Sequence, residues 1–448
     1  MDERPGEGGA AQPGAGPAVA AAGTPPGEGP DLRTRRDLAW NLVPVVLLAV
    51  VGLGLKLLIG RPDWWGKSAL GVFNLVTISW FAFAVLGAGG LQFAVLRAVA
   101  EDPDDRDRLA AVVAGALIPA VGLAAAATGL YVLLRGPFGA LQGPAVAEGM
   151  LWAAPGLFCF ALNKVLFGVV NGLRRMRAFA VYTSLRYVLI AVGLLLARGL
   201  DLSAAQLPAI WSFTEGGLLL VLLGELLATV RLSRGAGWTA WARRHLAFGA
   251  RGVTATLAAE VNAKLDVWLF GVAATNAEVG IYALASALLE GVMQLAVVLQ
   301  NLVNPVLARQ ISSGAHREAE AVVRRTRRWF VPSLAAAALA GAALFPLIVP
   351  PLIGDPDFMA GAWPFAILMA GVVAASPYLP FNQVLLMAAL PGWHTGLILA
   401  TTAVGFAGNL ALIPLLGMRG AALAAAASLA FSALLLRTLA RSGIGLRL

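Results

Sequence analysis

The sequence predicts an all-α, polytopic membrane protein of about 12 transmembrane helices, and three observations predict it. The 448 residues are 59% hydrophobic but only 13% charged, about half the charged share of a soluble globular domain. Apolar runs of roughly 20 residues recur along the chain, and that length crosses a hydrocarbon core of about 30 Å as helix. The basic residues are concentrated in short segments between these runs, so the net charge of +9 reflects topology and does not argue for nucleic-acid binding.

Taken in order, residues 1–37 are rich in Gly, Pro, Ala and Glu and read as a disordered tail. Spans are expected near 38–59, 69–93, 109–134, 149–171, 179–198 and 208–230. A linker over 231–249 follows, then spans near 250–273, 279–307, 330–353, 361–387, 394–416 and 420–440, and a short tail over 441–448. Within the linker, Trp238, Trp241 and His245 fall on one side of a short helix that would lie along the inner surface. With the N-terminus inside, the inner segments hold 24 Lys and Arg residues and the outer ones only Arg61, Lys67, Arg135, Arg198 and Arg419. This asymmetry places both termini on the cytoplasmic side of the membrane. Trp64 and Trp65 in the first outer loop have the character of interfacial anchors. The lone cysteine, Cys159, allows no internal disulfide.

The chain divides into two sets of six spans. Gly71-Val72-Phe73 opens the second span and Gly280-Ile281-Tyr282 opens the eighth; Leu91 to Arg97 (LQFAVLR) closes the former and Leu299 to Arg309 (LQNLVNPVLAR) the latter. The fourth span carries NKVL from Asn163 and the tenth NQVL from Asn382. Matches at corresponding places with the same direction suggest parallel repeats, giving an N-terminal lobe over 38–230 and a C-terminal lobe over 250–440.

An ordered set of segments in the second half carries a family resemblance. These are KLDVWLFG from Lys264, EVGIYALASALLEGV from Glu278, NPVLAR ending at Arg309, PLIGDPDFMAGAWPFAILMAG from Pro351 and NLALIPLLGMRGAALAAAAS from Asn409. With them the chain resembles the oligosaccharide flippases of the multidrug/oligosaccharidyl-lipid/polysaccharide exporter superfamily over about residues 38–440. The first half matches through the second span and LRRMR from Leu173. The resemblance implies two six-helix lobes around a central cavity that opens alternately to either side, the architecture of multidrug exporters of the MATE type. It also implies a substrate glycan linked to polyprenyl diphosphate and moved from inner to outer leaflet, and a working link to glycosyltransferases and a polymerase. Flippases of lipid-linked peptidoglycan precursor are close cousins, commonly with fourteen spans.

Charges inside the spans are the candidate site residues, because each costs about 2.5–3.5 kcal/mol at the bilayer centre unless it meets a partner or water. Lys164, Arg186 and Lys264 are the candidate ligands for a diphosphate, since both side-chain types bind phosphate. Glu215, Glu260, Asp266 and Glu290 are candidates for charge partners or for coupling to H+ or Na+. Glu260 and Lys264 are four residues apart and so either pair on one helix face or act separately; Asn262 and Asp266 occupy another face. Lys56, near the outer end of its span, is expected to snorkel, and Glu225 to be solvated near the inner end. The acids from Glu101 to Asp107 read as a solvated turn. His245, His316 and His394 are too dispersed for a metal site, and no cofactor is expected. Gly60 to Ser68 (GRPDWWGKS) imitates a phosphate-binding loop but has five residues between its glycines where four are needed. Short outer loops poor in His, Asp and Glu disfavour a membrane glycan polymerase or ligase. A cation-coupled exporter of drugs or small molecules is the nearer alternative, and its cavity should be acidic or apolar.

Overall fold

A computed structural model describes residues 47, 50–230 and 237–448. The expected tail over 1–37, the start of the first span and the linker residues 231–236 lie outside the described residues. Within them the elements are α1 (Val50–Gly60), α2 (Lys67–Ala88), α3 (Leu91–Glu101), α4 (Arg106–Leu133), α5 (Arg135–Gln142), α6 (Pro144–Gly172), α7 (Met176–Gly199), α8 (Ala209–Thr229) and α9 (Trp238–Ala273). Then follow α10 (Asn276–Ser312), α11 (His316–Ile353), α12 (Ala362–Ala375), α13 (Val384–Met387), α14 (Pro391–Leu416) and α15 (Met418–Ile444). Ten of the described helices are long and apolar enough to cross a membrane, a 3-10 turn at Pro356–Gly361 being counted with α12. α1 and α9 stand in the places of the first and seventh expected spans; α1 is described only from Val50 onward, and α9 carries the charges that make it less apolar.

Three elements differ from the sequence expectation for identifiable reasons. The second span is two helices, because Gly89 and Gly90 adopt φ of +54° and +71° and stop α2 before α3 starts. The tenth span unwinds after Ala375, where Pro377 and Pro380 deprive the backbone of donors, and resumes as the single turn α13. Residues 238–249, expected as a separate surface helix, are continuous with the seventh span in the 36-residue α9. Polar ends are chosen by local chemistry. Asp105 caps α4 by accepting from Asp107 N and Arg108 N at 3.2 and 3.0 Å, and Glu101 pairs with Arg97 and Arg108, so the acid-rich turn has a structural job. Thr275 and Glu278 form a capping box at the start of α10.

The apolar core is forked. One cluster runs through both halves of the chain, joining Phe73 and Trp80 of α2 and Phe160 of α6 to Phe270 of α9, Tyr282 of α10 and Phe365 of α12. Toward the arginine-rich ends it splits. Leu91, Val113, Leu166 and Leu226 belong to a core of the first half, and Leu307, Val323, Leu385 and Leu436 to a core of the second. The second of these also buries Leu446 and Leu448, so the expected C-terminal tail is packed against the helices. α2 and α10 cross tightly at Gly71 and Gly280, the two glycines that open the repeated segments, whereas α3 and the Ser312 end of α10 have no comparable contact. The halves are therefore joined at the Lys67 and Asn276 ends, whereas toward the basic surface their cores separate around a cleft that α9 crosses, its Gly249 meeting Gly89 and Gly90.

Candidate functional site

Two groups of charges lie along the cleft, one on each half. On the first half, Phe160, Lys164 and Phe167 share one face of α6 through i, i+4 and i+7 spacing. Arg186 of α7 reaches this face and places its guanidinium 5.0 Å from the Phe160 ring centre and 5.2 Å from that of Phe167. The Lys164 ammonium lies over the same Phe160 ring at 5.1 Å. Lys164 and Arg186 are thus brought to one shared aromatic ring. Arg186 is neutralised by Glu215 of α8: Nη2 donates to Oε2 at 3.1 Å, and Nε lies 2.8 Å from Oε1 as an ion contact without hydrogen-bond alignment. Glu215 is 1% exposed and also accepts from Asn163 Nδ2, at 2.9 Å to its carboxylate and 3.0 Å to its backbone oxygen. A buried carboxylate needs such partners, because it would otherwise cost several kcal/mol. Lys164 has no ion pair or hydrogen bond among the described residues. The exposed Glu260 of α9 lies across the cleft from it and makes no ion pair with it.

On the second half, Lys264 of α9 forms an ion pair with Glu290 of α10. This decides the alternative left open by spacing: Lys264 is paired with Glu290 and not with Glu260, which is exposed and has no ion pair among the described residues. Lys56 of α1 is near enough to this pair for its charge to interact with both Lys264 and Glu290. Asp266 accepts from the Tyr282 hydroxyl at 2.6 Å. Asn262 accepts from Thr402 of α14 at 3.1 Å, which accounts for the second polar face of α9. Glu225, expected to be solvated, holds Arg175 and accepts from the Tyr182 hydroxyl at 2.9 Å.

Sequence reading missed Phe160, Phe167 and Tyr282 as parts of these groups. The first two had a signal, since Phe-x-x-x-Lys-x-x-Phe places both rings on the lysine's helix face. The Tyr282 contact with Asp266 joins two helices and depends on their packing. Outside the cleft, the segment set aside as a false phosphate loop supplies Lys67, which bonds Asp355 at 3.0 Å and also Asp357, tying the first half to the second. Trp65 donates from Nε1 to Leu202 O at 2.7 Å, so it is anchored to the protein.

Neither a protein-family model nor a curated protein matches the sequence. The fold does match solved structures. A "Lipid II flippase MurJ, inward closed conformation" superposes with a TM-score of 0.73 at 11% identity, covering 90% of this chain and 87% of that one. An "Inward-facing conformation of a multidrug resistance MATE family transporter of the MOP superfamily" gives 0.72 at 13% identity, covering 91% and 98%. An "Outward-facing conformation" of such a MATE transporter gives 0.58 at 14% identity, covering 91% and 95%. The architecture is accordingly the one shared by these MATE transporters and the lipid II flippase. The chain is a multi-pass membrane protein with the fold of this superfamily.

Proposed function

We propose that the protein is a flippase that moves a glycan linked to polyprenyl diphosphate from the inner to the outer leaflet of a bacterial cytoplasmic membrane by alternating access. The observation that carries this reading is Lys164: a cation on the cleft wall, half-buried, resting on an aromatic ring, with no acidic partner among the described residues. The net positive charge near the cleft comes from Lys164 and from Lys56 beside the Lys264–Glu290 pair, in keeping with a diphosphate, while the prenyl chain would stay in lipid between the lobes. The better superposition on inward-closed and inward-facing relatives than on an outward-facing one, and the forked core, support an inward-facing state that would load from the cytoplasm. The lobes are taken as residues 38–230 and 250–440. Products of cytoplasmic glycosyltransferases would be the cargo and an outer-leaflet polymerase the consumer.

A lipid-linked peptidoglycan precursor offers the same diphosphate chemistry and is the nearest other cargo, favoured by the match to a lipid II flippase. A cation-coupled small-molecule exporter is the second reading, favoured by Glu260, an exposed carboxylate without an ion pair. Flipping of fluorescent polyprenyl-diphosphate glycans in proteoliposomes tests these together. Wild type should flip the glycan, and Lys164→Ala and Lys264→Ala should each slow it by at least tenfold. Normal flipping by both variants would remove the cationic cleft from the mechanism. Inactivity of wild type toward every diphosphate lipid, with proton- or sodium-driven export of a cationic dye, would replace flippase by exporter.

A further inference from the structure

We infer that Phe160 is a positioning residue that takes the place of a counter-ion for Lys164, holding the ammonium in the cleft while leaving its charge and its donors available to a phosphate. The inference rests on the diphosphate reading above and adds to it the device that keeps the site ready. A cation in a low-dielectric wall ordinarily requires a carboxylate, and the neighbouring Arg186 has one in Glu215. Lys164 instead has the Phe160 ring at 5.1 Å. The face of an aromatic ring attracts a cation through its quadrupole, but it accepts no proton and brings no net negative charge. A carboxylate there would cancel the charge that the phosphate must find and would compete for the three ammonium donors. The ring is itself fixed, 5% exposed and packed against Trp80 at 4.8 Å and Phe81 at 5.7 Å between centroids. Arg186 lies over the same ring at 5.0 Å, so one side chain sets the position of both first-lobe cations.

The test is binding of geranyl diphosphate to the purified full-length protein by calorimetry, with geraniol as the uncharged control. Phe160→Leu keeps an apolar side chain and removes the quadrupole; it should weaken geranyl diphosphate about five- to tenfold and leave geraniol unchanged. Phe160→Trp should remain within about twofold of wild type. Adding Phe160→Leu to Lys164→Gln should cost less than Phe160→Leu costs in wild type, because the Lys164 contact is already gone and only the Arg186 contact with the ring remains to lose. Phe160→Met carries the same comparison if the leucine variant does not fold. Equal losses for geranyl diphosphate and geraniol would show that the ring only shapes the cleft, and unchanged binding by Phe160→Leu would show that it does nothing for the lysine; either overturns the inference while the flippase reading stands. Wild-type protein that binds no prenyl diphosphate overturns both.

Discussion

Arg186 and Glu215 show how the cleft tolerates charge residue by residue. Both are largely withdrawn from solvent, with side-chain exposures of 19% and 1%. Removing one partner leaves the other buried and uncompensated, which costs about 3–5 kcal/mol, whereas replacing both by apolar groups of similar size is roughly neutral. Glu215→Leu should therefore lower the thermal unfolding midpoint markedly, and Arg186→Met combined with Glu215→Leu should restore most of it. If the double variant is as unstable as the single, the pair is not what neutralises Glu215. The pair also illustrates what sequence can reveal at this scale. The spans containing Arg186 and Glu215 were evident, as was the need for a partner, but the partner was not. Lys264 is the sharper case: helix spacing offers Glu260 four residues away, and the residue it holds is Glu290, 26 positions later, brought near only when α9 and α10 pack.

At the scale of elements, most helices were legible because their apolar length is set by the bilayer. Their interruptions were less so. Gly89-Gly90 and the prolines 377 and 380 were visible as breakers, yet each sits inside an apolar run whose hydropathy hides the break. The joining of the linker to the seventh span was concealed by Arg243, Arg244 and Trp241, whose composition indicates a surface helix while saying nothing of where it ends. In the structure the Arg108 and Arg244 guanidiniums lie 5.2 and 5.1 Å from the Trp241 ring centre. His245 is 2% exposed, stacks on Trp241 and lies with Nε2 3.2 Å from the Val112 carbonyl of α4. Burial pushes the His245 imidazole below its ordinary value, against the opposing pull of that hydrogen bond. The folded pKa is thus the lower one, and the unfolded chain binds more protons as pH falls through about 6.5. The contribution of this docking is complete above that value and is lost on acidification until the folded form is also protonated. Thermal unfolding followed from pH 7.5 to pH 5 should show declining stability in wild type, with a shallower slope in His245→Phe. Identical slopes would mean that His245 is not the titrating group.

At the scale of the whole molecule, alternating access requires the joined end of the cleft to part, and the contacts there are well defined. A Cβ on Gly71 would stand 1.8 Å from Asn276 O, and one on Gly280 would stand 2.0 Å from Lys67 O, so the two lobes touch backbone to backbone. Beside this crossing Lys67 holds Asp355 and Asp357, with Asp355 also capping its own turn by accepting from Asp357 N at 2.9 Å. Ion pairs this near the surface contribute about 1 kcal/mol or less, which changes the ratio of closed to open forms about fivefold at most. The glycine contact is stricter, since a methyl group must push the helices apart by more than an ångström. Lys67→Glu should thus open this end modestly, Lys67→Glu with Asp355→Lys should close it again, and Gly71→Ala should open it more than either. The measurement is labelling by a membrane-impermeant maleimide of Val72→Cys, a site 2% exposed in this state, in a Cys159→Ser background. Severalfold faster labelling is expected for Lys67→Glu and a larger increase for Gly71→Ala. If neither exceeds the parent, these contacts do not hold the lobes together, and the closed end must be secured by the apolar core that both halves share.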